Sequence, residues 1–148
     1  MNSPKLSQSE AERLLNMLKK TLKGHVGFPQ KGDKEEFKVI GDSKRDEFTI
    51  SIFRSSIHHT KYNIGGRIDK NGVSLLELHI NPTTVHTNPD GEKITGSHWH
   101  IYTEEHGRRL AVPAEGIEDD EFVKTTIHFL EKFKVVEKPE ITYQIELV

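Results

Sequence analysis

Two spacings of apolar residues divide the chain. Near the start, Ala11, Leu14, Leu15, Leu18 and Leu22 recur at intervals that place them on one stripe of a helix. Ser7 with Glu10 is a capping-box pair, so the spacing predicts a helix over 7–22, ended by Gly24, Gly27 and Pro29. The polar run 30–36 reads as a solvated loop. Beyond it the period becomes two. Phe37 and Val39 begin one strand, and Phe48, Ile50 and Ile52 alternate through the next, after a turn at Lys44-Arg45-Asp46. Residues 61–69 read as a strand interrupted by a bulge at Gly65-Gly66, and Asp69-Lys70-Asn71-Gly72 as a hairpin turn. Strands over 75–81, 98–104 and 109–113 follow. The helical period returns over 120–134, where Phe122, Ile127, Leu130 and Phe133 approximate one face. Pro139 stops that helix, and 141–148 closes as a strand.

Strands grouped between two helices indicate an α+β fold. We expect a curved antiparallel sheet of about five to seven strands, with an N-terminal and a C-terminal helix packed on one face. A chain of 148 residues without repeats or linkers is read as a single domain over 1–148. Apolar content of 33% and a mean hydropathy of −0.63 point to thin layers rather than a deep core. Cysteine is absent, which excludes disulfides, thiolate zinc sites and cysteine nucleophiles. No apolar run approaches about 18 residues, and the N-terminus has no apolar signal region. The expectation is a cytoplasmic protein without membrane contact.

A net charge of −2 argues against nonspecific coating of nucleic acid. The charge is uneven, however. Residues 115–148 hold nine acids against four lysines, which leaves the first part of the chain net positive. A phosphate-binding face there is compatible with the sequence. The acid run Glu118–Glu121 suits the N-terminal end of the second helix.

Chemistry concentrates in 79–113, which carries His79, His86, His98, His100 and His106, five of the nine histidines. Alternation decides where they point. Trp99 and Ile101 share one face of their strand, and His98, His100 and Tyr102 the other. Leu76, Leu78 and Ile80 share one face of theirs, and Glu77 and His79 the other. If the two strands pair, Glu77, His79, His98, His100 and Tyr102 form one polar surface, with His86 at its rim. Solvation alone explains any single histidine on an exposed sheet face. Several aligned imidazoles repel when protonated, and serine or threonine would serve solvation as well.

Two chemistries fit such a face. The first is metal-free cleavage of RNA. His98, His100 and His79 would supply acid and base, Tyr102 would position or donate, and Arg54, Arg67, Arg108, Arg109 and His86 are the candidates to hold the phosphate. The second is a metal site. His98-x-His100 followed by Glu104 resembles the first metal motif of the cupins. Three histidines plus a carboxylate suit zinc, iron or nickel, but the second cupin motif has no counterpart here and cysteine is absent, so no resident metal or cofactor is expected.

The block His86-Thr87-Asn88-Pro89-Asp90-Gly91, then His98-Trp99-His100-Ile101-Tyr102, then Ala111-Val112-Pro113 resembles an uncharacterised family of small bacterial and phage proteins. Where that family has Gly-Tyr-Gly and then Lys-Trp, this chain has Glu105-His106-Gly107 and then Arg108-Arg109. The resemblance covers residues 78–113 and implies a part in conflict between phage and host. More loosely, the composition is similar to that of small endoribonuclease toxins that use histidines. The expected partner is therefore RNA or a protein, either an antitoxin or a host defence protein. An inhibitor that docks on a defence protein, in the manner of an anti-CRISPR protein, is the non-enzymatic alternative, and a homodimer is left open.

Overall fold

A computed structural model describes residues 5–58, 60–117 and 121–143. Helix α1 spans Gln8–Asn16, and Ser7 caps it by accepting from the Glu10 amide at 3.2 Å. The helix stops short of the predicted 22. Met17 is extended (φ −61°, ψ 132°), and the chain enters strand β1, Lys19–Thr21. Leu18 and Leu22, apolar in the helical stripe, are exposed, and Lys19 is buried instead. Its ammonium donates to Leu14, Met17 and Phe133 carbonyl oxygens at 2.7–2.9 Å and lies over the Phe133 ring. It thus satisfies carbonyls that a helix end leaves open.

Strand β2 (His25–Gly27) comes next, followed by the meander β3 (Lys34–Ile40), β4 (Glu47–Arg54), β5 (Tyr62–Ile68) and β6 (Ser74–Ile80). A small hairpin of β7 (Val85–Thr87) and β8 (Lys93–Thr95) precedes β9 (His98–Ile101) and β10 (Ala111–Pro113). Helix α2 (Phe122–Lys132), β11 (Val135–Glu137) and β12 (Glu140–Thr142) complete the order. The fold is α+β, as the pattern predicts, with a larger sheet. Eight strands run β10-β9-β6-β5-β4-β3-β1-β11, while β12 pairs with β2 separately. The added strands are three-residue pieces, too short to show alternation. The predicted loop 30–36 yields its last three residues to β3. The bulge expected at Gly65-Gly66 falls between Gly66 and Arg67.

One face of the large sheet is apolar. Phe48, Ile50, Ile52, Ile64, Leu76, Leu78 and Trp99 lie on it with α2 across them. Trp99 stacks on Phe129, and Phe133 meets Phe48 edge-on at 5.7 Å. Ala11 and Leu14 of α1 join the same core. No helix among the described residues is long and apolar enough to cross a membrane. Glu118, Asp119 and Asp120, most of the acid run, and the end of the predicted closing strand at 144–148 lie outside the described residues.

Candidate metal centre

Register turns alternation into rows on the face away from α2. One row runs Phe53, Asn63, His79, His98 across β4, β5, β6 and β9. The next runs Ser51, Gly65, Glu77, His100. His79, His98, His100 and Glu77 are therefore the corners of one small quadrilateral on β6 and β9. Opposed residues on paired strands are about 5 Å apart, so the imidazoles meet. Ring centroids are 5.2 Å apart for His79–His98, 4.7 Å for His79–His100 and 4.8 Å for His98–His100. One ring nitrogen from each of the three lies within 4.8 Å of the others.

His86 reaches in from the β7–β8 hairpin. Its ring is 5.4 Å from that of His98 and 4.8 Å from that of His100. Asn88 fixes the hairpin against β10. Its amide donates to the Ala111 carbonyl at 2.9 Å and accepts from the Ala111 N–H at 2.7 Å.

The hydrogen bonds commit one nitrogen of three rings. His98 Nδ1 donates to the Gly96 carbonyl at 2.9 Å, and His86 Nε2 to the Arg109 carbonyl at 2.9 Å. His79 Nε2 donates to Glu77 Oε1 at 3.0 Å. Carbonyls and carboxylates only accept, so each of these nitrogens carries the proton. In a neutral ring the other nitrogen is then a lone pair, the state in which histidine binds metal. His100 Nδ1 is buried with no hydrogen-bond partner among the described residues.

Electrostatics favours the neutral form of the two most buried rings, His98 and His100. Burial pushes His100 down to about 4, helped by neighbouring His79 and His98. His98 is lowered for the same reason, against the Gly96 carbonyl. Glu77 is the reverse case. Burial would raise it, but hydrogen bonds from His79, Ser74 and Arg108 prevail and hold it at about 2. A carboxylate that stays charged under His79 fixes that ring's orientation.

An open cleft of ≈ 570 Å³ lies over the cluster, lined by the four rings with Lys61, Asn63, Arg108 and Arg109. Of the residues singled out in the sequence, His79, His86, His98, His100, Arg108 and Arg109 come together here. Tyr102 does not. The β9 ladder ends at Ile101, and the Tyr102 hydroxyl turns to the Leu6 backbone, accepting from its N–H at 2.9 Å. Arg67 is on the same face but is held at a distance by Ser51 at 2.7 Å and Glu36 at 2.8 Å, and Arg54 is buried on the opposite face, donating to the Pro29 carbonyl at 3.2 Å. Glu104, the carboxylate of the cupin-like motif, accepts from the Gln8 amide at 2.8 Å and is not part of the cluster. The third imidazole beside His98-x-His100 is His79, from the neighbouring strand. Sequence reasoning missed the roles of Asn88, Asn63 and Lys61. Only strand pairing brings Asn63 next to His79, although its outward parity was visible between Tyr62 and Ile64.

A model of a family of unknown function (DUF6978) matches residues 6–135. Comparison with curated proteins gave no match, and comparison with solved structures gave none.

Proposed function

The chain belongs to the DUF6978 family, and from its own geometry we propose that it is a metalloprotein in which His79, His98 and His100 hold a divalent transition-metal ion. The observation that carries this reading is the convergence of three ring nitrogens within 4.8 Å. Neutral imidazole suits zinc, copper, iron and nickel. Three histidines without a fourth protein ligand leave a position open, as in catalytic zinc sites. His86 or a substrate would fill it. The ion would act as a Lewis acid or activate a water, on a substrate drawn by Arg108, Arg109 and Lys61.

The expectation of no metal rests on the missing second cupin motif and the lack of cysteine. A set of three imidazoles drawn from two paired strands needs neither a second cupin motif nor a cysteine. A metal-free ribonuclease remains the second reading, favoured by the two arginines at the cleft. It needs one ring protonated near neutral pH, and burial of His98 and His100 works against that.

The test is to load the protein with zinc, nickel or cobalt, dialyse it, and measure metal content. About one ion per chain is expected. His79→Ala, His98→Ala and His100→Ala should each lose it, and Tyr102→Phe should not. Wild-type protein that retains none of the three, yet cleaves RNA in a way that needs His98 and His100, would transfer the site to the metal-free reading.

A further inference from the structure

We infer that the polar face of the sheet binds a single-stranded nucleic acid, with Phe53 stacking a base and Lys61 and Arg109 holding phosphates beside the histidine centre. The inference rests on the metal reading for what the centre does, but not for the binding surface itself.

Phe53 is the first observation. It is 50% exposed on the face away from the core, among Thr49, Ser51 and Asn63. It packs under neither helix. Its row runs from Lys34 through Phe53 and Asn63 to His79 and His98. With neighbouring strands about 4.8 Å apart, Phe53 stands roughly 10 Å from His79. A base on Phe53 therefore leaves its sugar and phosphate within reach of the cleft. Asn63 lies between them and offers both a donor and an acceptor to a base edge.

The surface between is continuous. A shallow groove of ≈ 270 Å³ over Phe53, Gly65, Arg67 and Glu77 shares Asn63 and Arg108 with the histidine cleft. Gly65 keeps its floor low, because its row neighbours are Ser51 and Glu77 and it has no side chain of its own.

Charge selects the ligand. Three carboxylates of this face are answered in place, Glu36 by Arg67 and Lys34, Asp69 by Lys38, and Glu77 by Arg108, while Glu47 lies at the far end of β4 from Phe53. Lys61 and Arg109 have no carboxylate partner among the described residues. A chain that is net negative as a whole thus presents a positive face here, which suits a phosphate backbone. An exposed aromatic on a sheet flanked by cations takes unpaired bases, whose faces are free, and not a duplex, whose faces are stacked.

The experiment is fluorescence anisotropy on the full chain with a labelled oligouridylate, an oligothymidylate and a duplex RNA, with and without zinc. Metal content is measured on the same samples. Single strands should bind better than duplex. Phe53→Ala should weaken binding about tenfold while Phe53→Trp retains it. Lys61→Gln and Arg109→Gln should each flatten the salt dependence. Preference for the uridylate or for the thymidylate assigns the source as RNA or DNA. Binding indifferent to Phe53, equal binding of duplex, or no binding at all would overturn the inference, even in protein that holds its metal. Phe53-dependent binding by protein that retains none of zinc, nickel and cobalt after loading would uphold this surface and sink the metal reading instead.

Discussion

Glu77 and His79 stand two residues apart on β6, and the carboxylate Oε1 accepts the His79 Nε2–H at 3.0 Å. Arg108 and Ser74 hold the same carboxylate from other sides. Glu77→Gln keeps the shape but removes the charge that anchors the ring. Metal affinity should fall about 10–100-fold, read by competition with a chelating dye. An unchanged affinity would show that His79 is oriented by packing alone.

Gly66 lies against the ring of Phe133. A Cβ there would sit 2.8 Å from Cε2 and 2.9 Å from Cζ of that buried ring. Gly65, its neighbour on the other face, would meet Glu77 Cγ at an ordinary 3.6 Å. Gly66→Ala should therefore cost about 1–3 kcal/mol, and Gly65→Ala should cost much less. Urea denaturation of the two variants checks the contrast. Equal midpoints would mean that α2 shifts freely on the sheet.

Lys19 should give the fold a stability that depends on pH above neutrality. Burial pushes its ammonium down to about 7, with Lys134 adding to the effect. Between that value and about 10.4 the unfolded chain binds a proton that the folded chain does not. Stability should then rise as pH increases from 7 to 9. Lys19→Met should remove the slope and cost about 1–3 kcal/mol through the carbonyls it leaves unbonded. Thermal melts across this range in wild type and variant decide it. A flat or falling wild-type profile would mean that the carbonyls of α1 keep the lysine charged.

The alternation of Trp99 and Ile101 with His98 and His100 was enough to predict which way these rings point, because parity is a local property of a strand. It failed at Tyr102, one residue past the end of the ladder. The meander from β3 to β6 was legible because each strand is long enough to repeat its period. The three-residue strands β1 and β11 were not, and β1 was hidden inside an apolar helical stripe. α1 ends early where Lys19 pairs with Val135 of β11 and donates its ammonium to the Phe133 carbonyl, contacts with residues more than a hundred positions along the chain. The Asn88-Pro89-Asp90-Gly91 segment stands out in the sequence, and it forms the turn between β7 and β8. Its flanking strands do not stand out, since Ile94 is the one buried apolar residue among them. The histidine cluster itself depends on the β6–β9 register, in which His79 meets His98 from nineteen positions away.

The β7–β8 hairpin carries His86 but belongs to none of the large sheet's ladders, and its hold on β10 includes the paired bonds between Asn88 and Ala111. Three imidazoles are thus built into the large sheet and the fourth rides on a hairpin outside its ladders. Local opening of such a piece has its own free energy, separate from global unfolding. An ion that engages all four rings would slow amide hydrogen exchange across 85–95 without slowing it in β4 or β5. Asn88→Ala would speed it. The hairpin would then report, in its exchange rates, whether the centre is filled by the protein alone or has kept a place for something else.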